Sequence, residues 1–188
     1  NATDCWTSSE NWDLPTGKGY HINNAAVLTA TTLGSGVLAS SLTSVGTLTG
    51  LTVSGVTELQ SRVGIASATE NVTISSNTSG NTDYNLNTSA VFYHNSLTGD
   101  ITVNFTNVPT AASKAYTIAI IFNQGGTART IVNNVTINGG SSTAINWTGG
   151  TQPTGQASKK EVFSLNLVNI SATATPSWLV FGSSTAFG

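Results

Sequence analysis

Charge is what this chain has least of. Only 7% of its 188 residues are Asp, Glu, Lys or Arg, against about 25% in an average soluble domain. The six cations are scattered and the net charge is −2. No basic stripe can follow a phosphate backbone, so a nucleic-acid partner is disfavoured. Methionine is missing altogether, from which we expect a removed leader or a start inside a longer protein. Cys5 is the single cysteine. It cannot form a disulfide within one chain, which leaves an intermolecular bridge or a small unreactive thiol. The two histidines, His21 and His94, lie in different segments, too sparse for an ordinary metal site. Eight carboxylates are spread thinly, with no neighbouring pair suited to acid–base work. No apolar stretch approaches the ~20 residues of a membrane helix.

The space left by charge is filled with Thr, Ser, Asn and Gly. Val, Ile and Thr are plentiful, which argues against disorder and for pleated sheet with uncharged polar outer faces. The most unusual stretch is residues 28–56, LTATTLGSGVLASSLTSVGTLTGLTVSGV, which holds no charge. From Leu42 its apolar residues repeat every third position: Leu42, Val45, Leu48, Leu51. Helices repeat every 3.6 residues and half-buried strands every 2. One such ribbon cannot bury its own Leu and Val, whereas three wound about a common axis could. These four residues are therefore the expected core of a trimer.

Residues 1–27 read as an irregular attachment segment. It carries Trp6, Trp12 and most of the local charge, and it ends in a short strand over 20–27 with a turn at Asn23-Asn24. Residues 28–63 form the expected shaft, closed by the charged stretch ELQSR at 58–62. From residue 64 to 188 short strands alternate with turn signals. The segment 71–75 alternates, 90–93 is a strand candidate, and Ile101, Val103 and Phe105 mark a half-buried strand. Residues 116–122, YTIAIIF, read as a central buried strand. Val135 and Ile137, residues 145–148, the alternation around Phe163, Leu165 and Leu167, and residues 178–181 complete the set. Seven or eight such strands predict an all-β fold with an antiparallel β-sandwich or jelly-roll-like head.

The order Tyr-x-Ile-Asn, Val-Leu, TTLGSGV, SSLTSVGTL over residues 20–55 resembles the region leading into the shaft of tailed-bacteriophage fibres, especially marine ones. NWTGGTQPT at 146–154, with residues 178–182, is similar to the terminal β-domains of phage fibres and appendages. The resemblance implies a homotrimeric, non-enzymatic structural protein of a virion, with no cofactor. Its N-terminal side would meet other virion proteins, and its distal head would meet a host cell-surface glycan or protein. A capsid decoration or head fibre shares this architecture. A cellular extracellular adhesin filament is the other alternative, favoured by the missing Met and the glycosylation sequons.

Candidate sites are few. Trp147 has Gly149, Gly150 and Pro153 beside it and is the first candidate among the aromatics for stacking on a sugar, followed by Tyr84 and Tyr93; core packing is nevertheless the favoured expectation for Trp147, and more so for Trp178. Eight Asn-x-Ser/Thr sequons occur, of which Asn104 and Asn134 fall on expected outer strand faces and are candidate glycosylation sites. A symmetric trimer could gather three copies of one histidine on its axis as a metal site. Asp83, Asp100 and Glu161 are the head carboxylates that a sugar-cleaving spike would have to bring together. Residues 34–39, GSGVLA, match a dinucleotide fingerprint formally, but no helix follows to give the match meaning.

Overall fold

The computed structural model describes residues 14–29, 47–53, 57, 63–173 and 175–188. The chain divides into two compact units, Asn1–Val63 and Gly64–Gly188. Within the first unit, β1 (Tyr20–Ile22) and β2 (Ala25–Leu28) form an antiparallel hairpin. Its two-residue turn places Asn23 and Asn24 at φ 48° and 61°, the left-handed pair that matches strand twist and that Asn tolerates. Leu42, Val45, the 58–62 stretch, residues 34–39 and Cys5 lie outside the described residues.

The second unit is all-β apart from a single 3-10 turn at Thr148–Gly150. Its strands are β3 (Val72–Ser75), β4 (Thr78–Asn85), β5 (Val91–His94), β6 (Leu97–Thr106), β7 (Ala115–Asn123), β8 (Ile131–Ile137), β9 (Thr143–Trp147), β10 (Lys160–Asn169) and β11 (Trp178–Phe187). They make one nine-stranded sheet in the order β3-β5-β7-β10-β11-β9-β8-β6-β4. The two edge strands, β3 and β4, are consecutive in the chain and only two residues apart, so the sheet curls until it is nearly closed.

The antiparallel head expected from sequence is corrected here. Five pairings are parallel: β3–β5, β5–β7, β4–β6, β6–β8 and β9–β11. Three are antiparallel: β7–β10, β10–β11 and β8–β9. The reason lies in the connections. The short links 76–77 and 95–96 do not make hairpins; each carries the chain from one half of the curled sheet to the other. Successive passes then stack in parallel, with the intervening strand serving as the crossover that parallel pairing requires. Backbone hydrogen bonds from Asn95 N to Ser75 O (2.9 Å) and from Thr78 N to Ser96 O (3.1 Å) stack one link on the next.

The core lies between the two halves. Phe92 of β5, Ile118, Ile120 and Phe122 of β7, and Phe163, Leu165 and Leu167 of β10 point inward from one side. Tyr84 of β4, Ile101, Val103 and Phe105 of β6, and Ile131, Val135 and Ile137 of β8 point inward from the other. Ring contacts cross the gap and run along it: Tyr84–Phe92 at 4.8 Å, Phe122–Phe163 at 4.9 Å and Trp147–Phe163 at 6.3 Å between centroids. A core of this composition is held by the removal of apolar area from water, at ~25 cal/mol per Å². The expected central buried strand at residues 116–122 is β7, which lies inside the sheet between β5 and β10. Its burial alternates, with Ile118, Ile120 and Phe122 buried and Ala119 and Ile121 half-buried on the outer face.

Candidate functional site

Strand direction gives the second unit two distinct ends. The chain comes in at the start of β3. Links 86–90, 107–114, 138–142 and 170–177 share that end. Links 76–77, 95–96, 124–130 and 148–159 gather at the opposite end, the tip.

At the tip, Gln124 ties its own loop, donating from Nε2 to Arg129 O (2.6 Å) and accepting at Oε1 from Arg129 N (2.9 Å). The same Nε2 lies 3.0 Å from the buried Glu161 carboxylate, which also accepts from Gln156 N at 3.4 Å. Thr130 N donates to Asp100 Oδ1 (3.0 Å), and Thr130 Oγ1 donates to Pro153 O (2.9 Å). Gly155 packs its backbone so closely on Arg129 O that no Cβ fits there. These bonds join loops 124–130 and 148–159 into one rigid rim. It surrounds an open hollow of about 400 Å³ lined by Asp100, Arg129, Thr130, Gln152 and Pro153. Arg129 Nε is buried without a hydrogen-bond partner. Gln152 Nε2 donates to Ile131 O at 2.9 Å, so the lining is partly committed to the rim itself, and the acceptor positions left on Asp100, Thr130 and Gln152 are of the type that hydroxyl-rich ligands pair with.

The aromatic candidates are not at this rim. Trp147 is 7% exposed and belongs to the core. Its Nε1 donates to Asn133 Oδ1 at 2.7 Å, the partner a buried indole requires. Tyr84 is 1% exposed, stacked edgewise on Phe92. Both rings are core residues, the packing favoured for Trp147 from sequence and not foreseen for Tyr84. Tyr93 is half-buried on the outer face of β5, and Trp178 is half-buried against Tyr116.

His94 is a core residue. It is 1% exposed, with Tyr84 Oη 2.8 Å from Nε2 and Thr78 Oγ1 3.0 Å from Nδ1. A neutral imidazole offers one donor and one acceptor, so one hydroxyl donates to it and the other accepts. Burial lowers its pKa from 6.5 to about 4 and pushes the Tyr84 phenol well above its usual range. His21 is exposed on β1, its Nδ1 3.4 Å from Asn24 O. Among the described residues no three of His, Cys, Asp and Glu come together as a metal site.

The carboxylates serve separate networks. Asp83, on the outer face of β4, accepts from Asn104 Nδ2 at 2.8 Å. Asn104 Oδ1 accepts from Thr136 Oγ1 (2.7 Å) and from Gly139 N (3.3 Å). Both ends of the Asn104 amide are thus engaged, and a glycan there would displace the bond to Asp83. Asn134 is exposed on β8. Of the expected trimer core, Leu48 and Leu51 are described, and the single chain leaves them 53% and 73% exposed. The rim network was missed from sequence because polar residues were not followed along the inward register: Gln124 continues Ile118, Ile120 and Phe122, and Glu161 precedes Phe163, Leu165 and Leu167, each at every second position. No helix among the described residues is long and apolar enough to cross a membrane. In comparisons with known proteins no family model, no curated protein and no solved structure matches this chain.

Proposed function

We propose that this chain is a non-enzymatic structural subunit of a trimeric virion fibre that attaches to a host surface through its C-terminal head. The observation that carries the reading is the uncharged run 28–56, in which Leu42, Val45, Leu48 and Leu51 recur every third residue, a spacing that one ribbon cannot bury against itself. Exposed Leu48 and Leu51 support it, because apolar side chains at regular spacing and open to water call for another chain. The tip hollow, at the end of the head away from the incoming chain, is the natural place for a hydroxyl-rich ligand such as a surface glycan. Three copies of a weak site then act together through multivalency.

A filament of a cellular adhesin is the second reading, favoured by one observation. β3 and β4 are sheet edges with unpaired backbone on one side, and an edge can accept a strand from another subunit. The two readings separate on the mass of the native full chain in dilute solution, measured by light scattering beside residues 64–188 alone. The fibre reading expects a trimer that becomes a folded monomer on truncation. A monomeric full chain removes the basis for an intersubunit core at Leu42, Val45, Leu48 and Leu51.

A further inference from the structure

The two outer faces of the second unit differ in kind. Outside β4, β6 and β8 lie Asn81, Asp83, Thr102, Asn104, Asn134 and Thr136, several joined by hydrogen bonds. That face suits water. Outside β3, β5, β7 and β10 the pairing registers set side chains in rows. One row runs Ile74, Tyr93, Ile121, Val162. The next runs Val72, Val91, Ala119, Ser164. No charged residue stands in either row.

β3 makes the point most sharply. Its pattern is reversed relative to an ordinary half-buried strand. Thr73 and Ser75 share the inward register of Phe92 and His94, and Thr73 Oγ1 bonds Ser89 Oγ at 2.7 Å. Val72 and Ile74 point outward and are 50% and 70% exposed. A strand turned inside out in this way gains nothing in a lone molecule, because strand register is set by whichever face is buried. Its apolar residues are placed for a second buried face.

We infer that the outer face of β3, β5 and β7 is an interface with another copy of this chain. This deepens the fibre reading and rests on it. Two features choose the occupant. The rows carry no charge with which to select a foreign partner. The chain also comes into the unit at β3, so copies tethered by the uncharged run upstream hold their second units at high effective concentration. The polar face and the tip hollow would then remain outside, free for water and for a ligand.

The test is thiol protection in the full chain carrying Cys5→Ser. Ile74→Cys and Val72→Cys each place one thiol on the apolar rows, and Asn81→Cys places one on the polar face, where Asn81 is exposed. Labelling by a maleimide is timed on samples whose mass is read by light scattering. We expect both apolar-face thiols to label at least ten-fold slower than the thiol at position 81 while the chain is oligomeric. The difference should vanish on dilution to monomer. Fast labelling in an oligomer leaves this face open and overturns the inference while the fibre reading stands. Protection that persists in the monomer points to the chain's own residues and also overturns it. A full chain that never associates removes both readings together.

Discussion

Asparagine does much of the work that glycine does in other β proteins. Asn23, Asn24, Asn77, Asn107 and Asn138 all adopt positive φ at turns, a region Asn tolerates because its short side chain bonds locally. Asn138 adds a clamp: its Oδ1 accepts from Val108 N at 3.0 Å and its Nδ2 donates to Val108 O at 2.9 Å. Asn138→Ala should cost about 3 kcal/mol in urea unfolding, from backbone strain and two orphaned groups. Asn138→Gly keeps the conformation and should lose about half as much. Equal losses would show that strain plays no part. His94 sets an acid limit. Its folded pKa of about 4 lies below the ordinary 6.5, so its contribution is complete above pH 6.5 and is lost as pH falls through that window. Below pH 4 the loss should reach about 3 kcal/mol. Unfolding curves between pH 7 and 4 should be flatter for His94→Gln; an unchanged slope would place the acid sensitivity elsewhere.

Strands follow the same logic of two faces. β11 runs past Gly182, where a Cβ would come within 2.6 Å of the Trp147 ring and 2.7 Å of Ile145 Cγ2. Glycine is required there by close approach, and Gly182→Ala should cost about 1–3 kcal/mol by overpacking, read as a lower denaturation midpoint. Sequence patterning located β6, β8, β9 and β10 because their buried residues alternate with polar ones, and β5 as a short apolar run before a turn signal. It missed β4, TSGNTDYN, where Tyr84 is the one large apolar side chain. It stopped β11 short at Phe181, since GSSTAF looks like a loop until Trp147 fills the space beside Gly182. Pairing direction was not legible, because a two-residue link reads as a hairpin turn whether the next strand pairs with the last or crosses to the other half. Core packing was already the favoured reading for Trp147, whereas the core role of Tyr84 was hidden, because a lone aromatic in so polar a segment looks the same whether it faces in or out.

For the whole molecule, stability comes from apolar packing and neutral hydrogen bonds, with only 7% of residues charged. Such a fold should be nearly indifferent to ionic strength, since screening has little to act on. Raising NaCl from about 0.05 to 1 M should move the melting temperature by less than about 3 °C; a larger fall would mean that a few charges matter more than their number suggests. Chemical ageing works at the same scale, and the weak point of any asparagine-rich chain is an Asn followed by Gly. Deamidation begins when the glycine nitrogen attacks the asparagine side-chain carbonyl carbon. The chain has a single Asn-Gly step, Asn138-Gly139. Here the Asn138 amide is held by Val108, and the Gly139 nitrogen is turned to Asn104 Oδ1 at 3.3 Å. Nucleophile and target are tied to different neighbours, so the fold acts as its own preservative. Prolonged warm storage should leave the native protein at constant mass while the unfolded chain gains the mass of deamidation.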